Sequence, residues 1–191
     1  MIFNALHTVT GKLNDFIKTR YRTSENLVEL SNVLEQDGTL TLKETNKLIV
    51  SLINIERESK LNAIPRNLEK GLGVQKSVNA PISINLYIIF IALSSGQHYP
   101  NALKLLSAVI EFFQSNSFID HNNTPQLDAQ IDKLTFEIMN LDMQALSNLW
   151  SALGCKYMPS VVYKVRMVSI DSQEIKGELY KISQTENELL M

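Results

Sequence analysis

The chain has 191 residues, 45% of them hydrophobic, with 18 basic against 20 acidic side chains. That length supports one substantial core, and the near-neutral balance excludes a global basic field able to hold nucleic acid or an anionic membrane. One cysteine excludes an intramolecular disulfide, and the longest apolar run, Leu86 to Leu93, falls far short of the ~20 residues of a bilayer span.

The N-terminal MIFNALHTVTGKLNDF has no basic n-region, continuous apolar segment or small-residue cleavage site, so a cytosolic product is expected. Phe3, Leu6, Leu13, Phe16 and Ile17 recur at helical spacing and predict an amphipathic helix over 2–21. Residues 26–33 read as a short strand, and Asp37-Gly38 supplies a tight turn. NKLIVSLINIER, 46–57, is rich in β-branched residues on both parities, as in a central strand covered on two sides.

Residues 58–80 hold no sustained period, one proline and two glycines, and predict a long loop or extended excursion. PISINLYIIFIALS, 81–94, is a second buried strand, able to pair with 46–57 as a hairpin with an oversized tip. Pro100 suits the first turn of a helix running to Gln114, and 131–141 alternates Leu134, Phe136 and Ile138 against Lys133, Thr135 and Glu137, a half-buried strand.

In LSNLWSALGCKYMPSVVYKVRM the period changes halfway. Asp142 caps a helix striped by Met143, Leu146, Leu149, Trp150 and Leu153, and Gly154 suits a left-handed stop. After Pro159 a strand places Val161, Tyr163, Val165 and Met167 on one side and Val162, Lys164, Arg166 and Val168 on the other. The tail from Asp171 carries Ile175, Leu179, Ile182 and Leu189 at roughly helical steps, as a docking helix or a weakly packed end. The element order predicts an α+β single domain: a mixed, mainly antiparallel sheet with helices chiefly on one face.

Reaction chemistry is hard to find. His7, His98 and His121 are scattered, and no metal-ligand spacing occurs. GLGVQKS ends like a phosphate loop, but Gln75 replaces the glycine before Lys76 and no apolar strand precedes it. Asp128 with Asp132, and Glu56 with Glu58, are carboxylate pairs of the ordinary surface kind. No catalytic residue, cofactor or metal is expected. Trp150 reads as core packing; Lys164 and Arg166 fit either a solvated strand face or a partner contact.

Four separated segments, NLVELSNVLEQDGTL, NKLIVSLINIERE, YPNALKLLSAVIEFFQ and LSNLWSALGCKYMPSVVYKVRM, together resemble a known family. It is the N-terminal domain of the cap, or tail-terminator, protein of phage-tail-like contractile injection systems of the virulence-cassette and antifeeding-prophage type. The resemblance covers about residues 1–170 and leaves 171–191 as a C-terminal tail. It implies a terminator-like α/β fold that forms a sixfold ring on the distal end of inner tube and sheath, ending polymerisation and joining the two. The implied partners are other copies, tube and sheath, with no nucleic acid and no membrane insertion. The implied location is the cytoplasm during assembly and the released particle afterwards.

On that reading Arg57, Pro65, Arg66 and Lys70 around the long loop, and Tyr163, Lys164 and Arg166 on the last long strand, are candidate assembly contacts. The family commonly has a small residue such as alanine where Cys155 stands, which fits a buried small site and not a redox role. The residues taken without the resemblance also admit a small ligand-binding or enzymatic α/β protein using a cleft beside loop 58–80, or an adaptor binding a partner helix through its apolar surface.

Overall fold

The structure, a computed structural model, describes residues 1–42, 46–58, 74–76, 83–169 and 178–180. Helix α1 (Ile2–Tyr21) buries Leu6, Val9, Leu13 and Ile17, with Ile2 packed at the margin of the same core. Those positions step by three and four residues and make one face. Phe3 lies one position round from Ile2 and is 66% exposed, so it leaves the stripe in which the sequence placed it. Asn14, buried on α1, accepts from the Leu27 and Val28 amides at 3.0 and 3.3 Å and donates to Asn26 at 2.9 Å. A buried amide thereby fixes where the first strand starts.

That strand, β1 (Val28–Leu30), runs parallel to β2 (Lys47–Arg57) with Val28 opposite Leu48, and Lys47 is ion-paired to Glu29. Between them the Asp37-Gly38 turn forms as expected: Gly38 has φ 81°, and Asp37 accepts from the Thr39 amide and hydroxyl at 2.9 and 2.6 Å. Strand β3 (Val74–Lys76) lies within the expected long loop, and β4 (Ser83–Leu93) is antiparallel to β2 with a bulge between Leu52 and Asn54. Helix α2 (Tyr99–Ser115) carries Pro100 in its first turn and is followed by β5 (Phe118–Asp120). Then come β6 (Ile131–Ile138), α3 (Met143–Leu153), β7 (Ser160–Ser169) and β8 (Glu178–Tyr180).

Six strands form one sheet in the order β1-β2-β4-β7-β6-β5, and every pairing after β1–β2 is antiparallel. The two faces carry separate cores because strand side chains alternate. Leu48, Val50, Leu86, Ile88, Phe90, Tyr163, Val165 and Met167 face α1 and α2. There Phe113 meets Phe136 at 4.6 Å, Tyr163 at 4.5 Å and Phe90 at 5.4 Å between ring centroids. Ile49, Ile89, Ile91 and Val162 face the other way, toward Trp150 of α3. Two of the three α-helices among the described residues thus share one face, as expected, and α3 covers part of the opposite one.

Strand β5 had no period to announce it. It is three residues long, and Asp120 ends it by accepting from the Asn122 and Asn123 amides, both at 3.0 Å. Strands β3 and β8 pair antiparallel, Val74 opposite Tyr180, which joins the expected loop to the expected tail. Leu179, one of the helically spaced tail residues, is therefore in a strand, while Ile175, Ile182 and Leu189 lie outside the described residues.

Candidate assembly surface

The opening of one sheet face follows from a length mismatch. Asp142 caps α3, its carboxylate accepting from the Ala145 amide at 2.7 Å, and Gly154 ends it at φ 71°. The 11 residues of α3 span only ~16 Å at 1.5 Å per residue. The 11 residues of β4 run to ~36 Å at about 3.3 Å per residue. One short helix cannot cover strands more than twice its length. It takes the half over Ile49, Ile89, Ile91 and Val162, with Trp150 only 4% exposed and Tyr157 edge-on to it at 5.6 Å.

The other half of that face is polar. One cross-strand row runs Glu137, Lys164, Tyr87, Asn54, and the next runs Phe118, Thr135, Arg166, Asn85, Glu56. The Tyr87 hydroxyl donates to Glu56 Oε2 at 2.7 Å, and Asn85 Nδ2 donates to Glu58 Oε2 at 3.2 Å. The Arg166 guanidinium stands 3.8 Å from the same Glu58 oxygen, and the Lys133 ammonium lies 4.3 Å over the Phe118 ring. The bond to Glu56 pushes the Tyr87 pKa up to about 12, with partial burial and the charges of Glu56, Glu58 and Glu137 adding to it. Both signs of charge alternate across the rows, which suits a polar partner surface more than a small-molecule cleft.

Of the sequence-derived contacts, Lys164 and Arg166 are brought together here, with Arg166 exposed and Lys164 half-buried. Tyr163 points the opposite way into the aromatic cluster and is 4% exposed, and burial raises its pKa. Arg57 is exposed but pairs in register with Ile84, on the α1 side of the sheet. Pro65, Arg66 and Lys70 lie outside the described residues. Asn85 and Tyr87 escaped the sequence reading, though they share the parity of Ile89 and Ile91; polar residues giving way to apolar ones along β4 mark where the cover of α3 begins.

Among the described residues no cluster of His, Cys, Asp and Glu could hold a metal ion, and no helix is long and apolar enough to cross a membrane. Cys155 is half-buried against the α3 core, and desolvation raises its pKa, the reverse of an activated thiolate.

Solved structures of contractile particles share this fold. The sheath/tube terminator of the PVC extracellular contractile injection system, in its extended state, superposes with a TM-score of 0.56 at 15% identity, over 94% of this chain and 62% of that one. The cap of the anti-feeding prophage, a tube-terminating cap, superposes with a TM-score of 0.57 at 14% identity, over 95% of this chain and 60% of that one. This chain therefore spans about three fifths of the length of those proteins. It belongs to the Pvc16 N-terminal domain family, whose model matches residues 7–181. A sequence search of curated proteins returns no match.

Proposed function

We propose that this chain is a terminator of a contractile injection particle, binding the distal end of inner tube and sheath as a ring of identical copies and performing no reaction. The observation that carries the reading is that two solved structures sharing its fold across nearly the whole chain, 94% and 95%, are a sheath/tube terminator and a tube-terminating cap. Such a protein works by geometry: it satisfies the last open interface of a polymer and offers no equivalent interface to the next layer. The half-open sheet face supplies a surface of mixed charge for this, with Lys164, Arg166, Glu56 and Glu58 as contacts that give register more than affinity. Arg57, on the sheet's other side, and Pro65, Arg66 and Lys70 add further contacts, residues 1–170 form the capping body and the ring is sixfold. Assembly takes place in the cytoplasm and the protein leaves with the particle.

Deleting the gene and imaging particles by negative-stain microscopy tests the proposal. Tubes or sheaths of uncontrolled or unstable length, restored to normal by the gene supplied in trans, are expected. Particles of normal length and stability in the deletion would overturn it.

A further inference from the structure

We propose that the outer ridge of α1 is a contact between two copies of this chain, laid antiparallel about His7. Phe3, His7, Gly11 and Asp15 follow one another at every fourth residue on the exposed side of α1, the spacing by which two helices pack ridge against ridge at about 50°. Phe3 is 66% exposed and stacks on the His7 ring at 5.5 Å, while a Cβ added at Gly11 would meet nothing within 4 Å. A glycine in the middle of an exposed helix costs about 1 kcal/mol relative to alanine. Among the described residues nothing approaches Gly11 to account for it.

Centred on His7, the antiparallel arrangement sets Phe3 of each copy over Gly11 of the other, a large side chain into the notch of a missing one. The electrostatics agree. Residues 1–13, the span that overlaps, contain one charged side chain, Lys12, whose ammonium is already taken by the Asn123 carbonyl at 3.1 Å. One turn beyond Gly11, the Asp15 carboxylate of each copy lies just past the other copy's Met1 and faces the start of its helix, where the macrodipole is positive. That start has no side-chain cap and no acidic residue in its first turn. Asp128 nearby takes the terminal ammonium and the Asn4 side-chain amide, at 3.5 and 2.6 Å, leaving the first-turn backbone amides to the incoming carboxylate.

A contact in which each copy offers the same patch closes at two and cannot itself build a ring, so this pairing is separate from ring closure and does not depend on the terminator reading. One helix crossing buries less than the roughly 1,200 Å² of a tight complex, and a dissociation constant of about 10–100 µM is expected.

The test is mass against concentration by sedimentation equilibrium for the full chain and for Gly11→Leu and Phe3→Ala, with His7→Cys in a Cys155→Ser background for cross-linking. Each of the first two variants should halve the mass seen at high concentration, whatever the ring state, and raise the dissociation constant at least about tenfold. Neither should lower the melting temperature, because both side chains stand in solvent. The His7→Cys protein should form a 7–7 disulfide dimer under mild oxidation. An unchanged mass in both variants, or no 7–7 dimer at concentrations where the wild type pairs, overturns the proposal. So does a wild type that stays unpaired to several hundred micromolar, which would leave the ridge to a different protein.

Discussion

The Tyr87 hydroxyl donates to Glu56 Oε2 at 2.7 Å across the β2–β4 pair, on the half of the sheet that α3 leaves open. Ionising the phenol would end that bond beside a carboxylate, which is why its pKa rises to about 12. A group whose folded pKa lies above its unfolded value contributes stability that is fully present below the unfolded pKa, about 10, and is lost as pH climbs through the folded one. The pair is largely exposed, so at neutral pH Tyr87→Phe should cost no more than about 1 kcal/mol. Urea titrations at pH ~8 and ~11.5 should show the wild type losing more stability than Tyr87→Phe. Equal losses would remove this bond from the alkaline response.

Arg166 separates folding from assembly. Its side chain is 44% exposed, and its partner Glu58, 12% exposed, stands 3.8 Å away, a pair too loose to add more than about 1 kcal/mol to the fold. Arg166→Glu reverses the charge in the middle of the open rows and sets it against Glu58. Thermal melting should shift by a few degrees at most, while co-sedimentation with purified tube or sheath should fall about tenfold or more, since like charges at an interface cost several kcal/mol. If melting and co-sedimentation fall together, the open sheet face is not the contact.

The same surface shows what could be read from the sequence. Strong periods located α1, β2, β4, α2, β6, α3 and β7, because each is long enough to repeat its pattern, and Asp142 and Gly154 marked both ends of α3. Of the three-residue strands β1 was read within 26–33, but the others escaped: β5 is set by its pairing with Thr135 and Lys133 and not by propensity, and β3 finds its partner β8 about a hundred residues on. The site was half legible. Lys164 and Arg166 stood out as charges between valines, but their neighbours Glu56, Glu58, Asn85 and Tyr87 come from other strands, and only register brings them together. Tyr163 was grouped with Lys164 by adjacency, and alternation sends it to the other face.

Helix α3 is a weak point by construction. Trp150 is its one fully buried residue, and it is short enough that its end groups matter. Asp142→Ala removes the acceptor for the Ala145 amide and should cost about 1 kcal/mol, within the usual 0.5–2 for losing a cap. Trp150 fluorescence should report the loss before far-UV circular dichroism does, because α3 loosens while the sheet and α1 hold. Coincident transitions by both probes at wild-type stability would mean that the cap contributes nothing.

Two phenylalanines test how the buried face is defined. Phe113 is 3% exposed, with ring centroids of Phe112, Phe136, Phe90 and Tyr163 between 4.5 and 5.4 Å away, whereas Phe3 is 66% exposed. Phe113→Ala leaves a cavity between α2 and the sheet that the surrounding rings cannot fill without leaving their rotamers, and should cost about 3–5 kcal/mol. Phe3→Ala removes no buried contact and should stay within about 0.5 kcal/mol of wild type, the usual range for surface substitutions. Guanidinium unfolding of both variants measures the contrast. A Phe3→Ala cost approaching that of Phe113→Ala would mean that α1 turns its Phe3 edge inward, and would restore the stripe that helical spacing alone suggests.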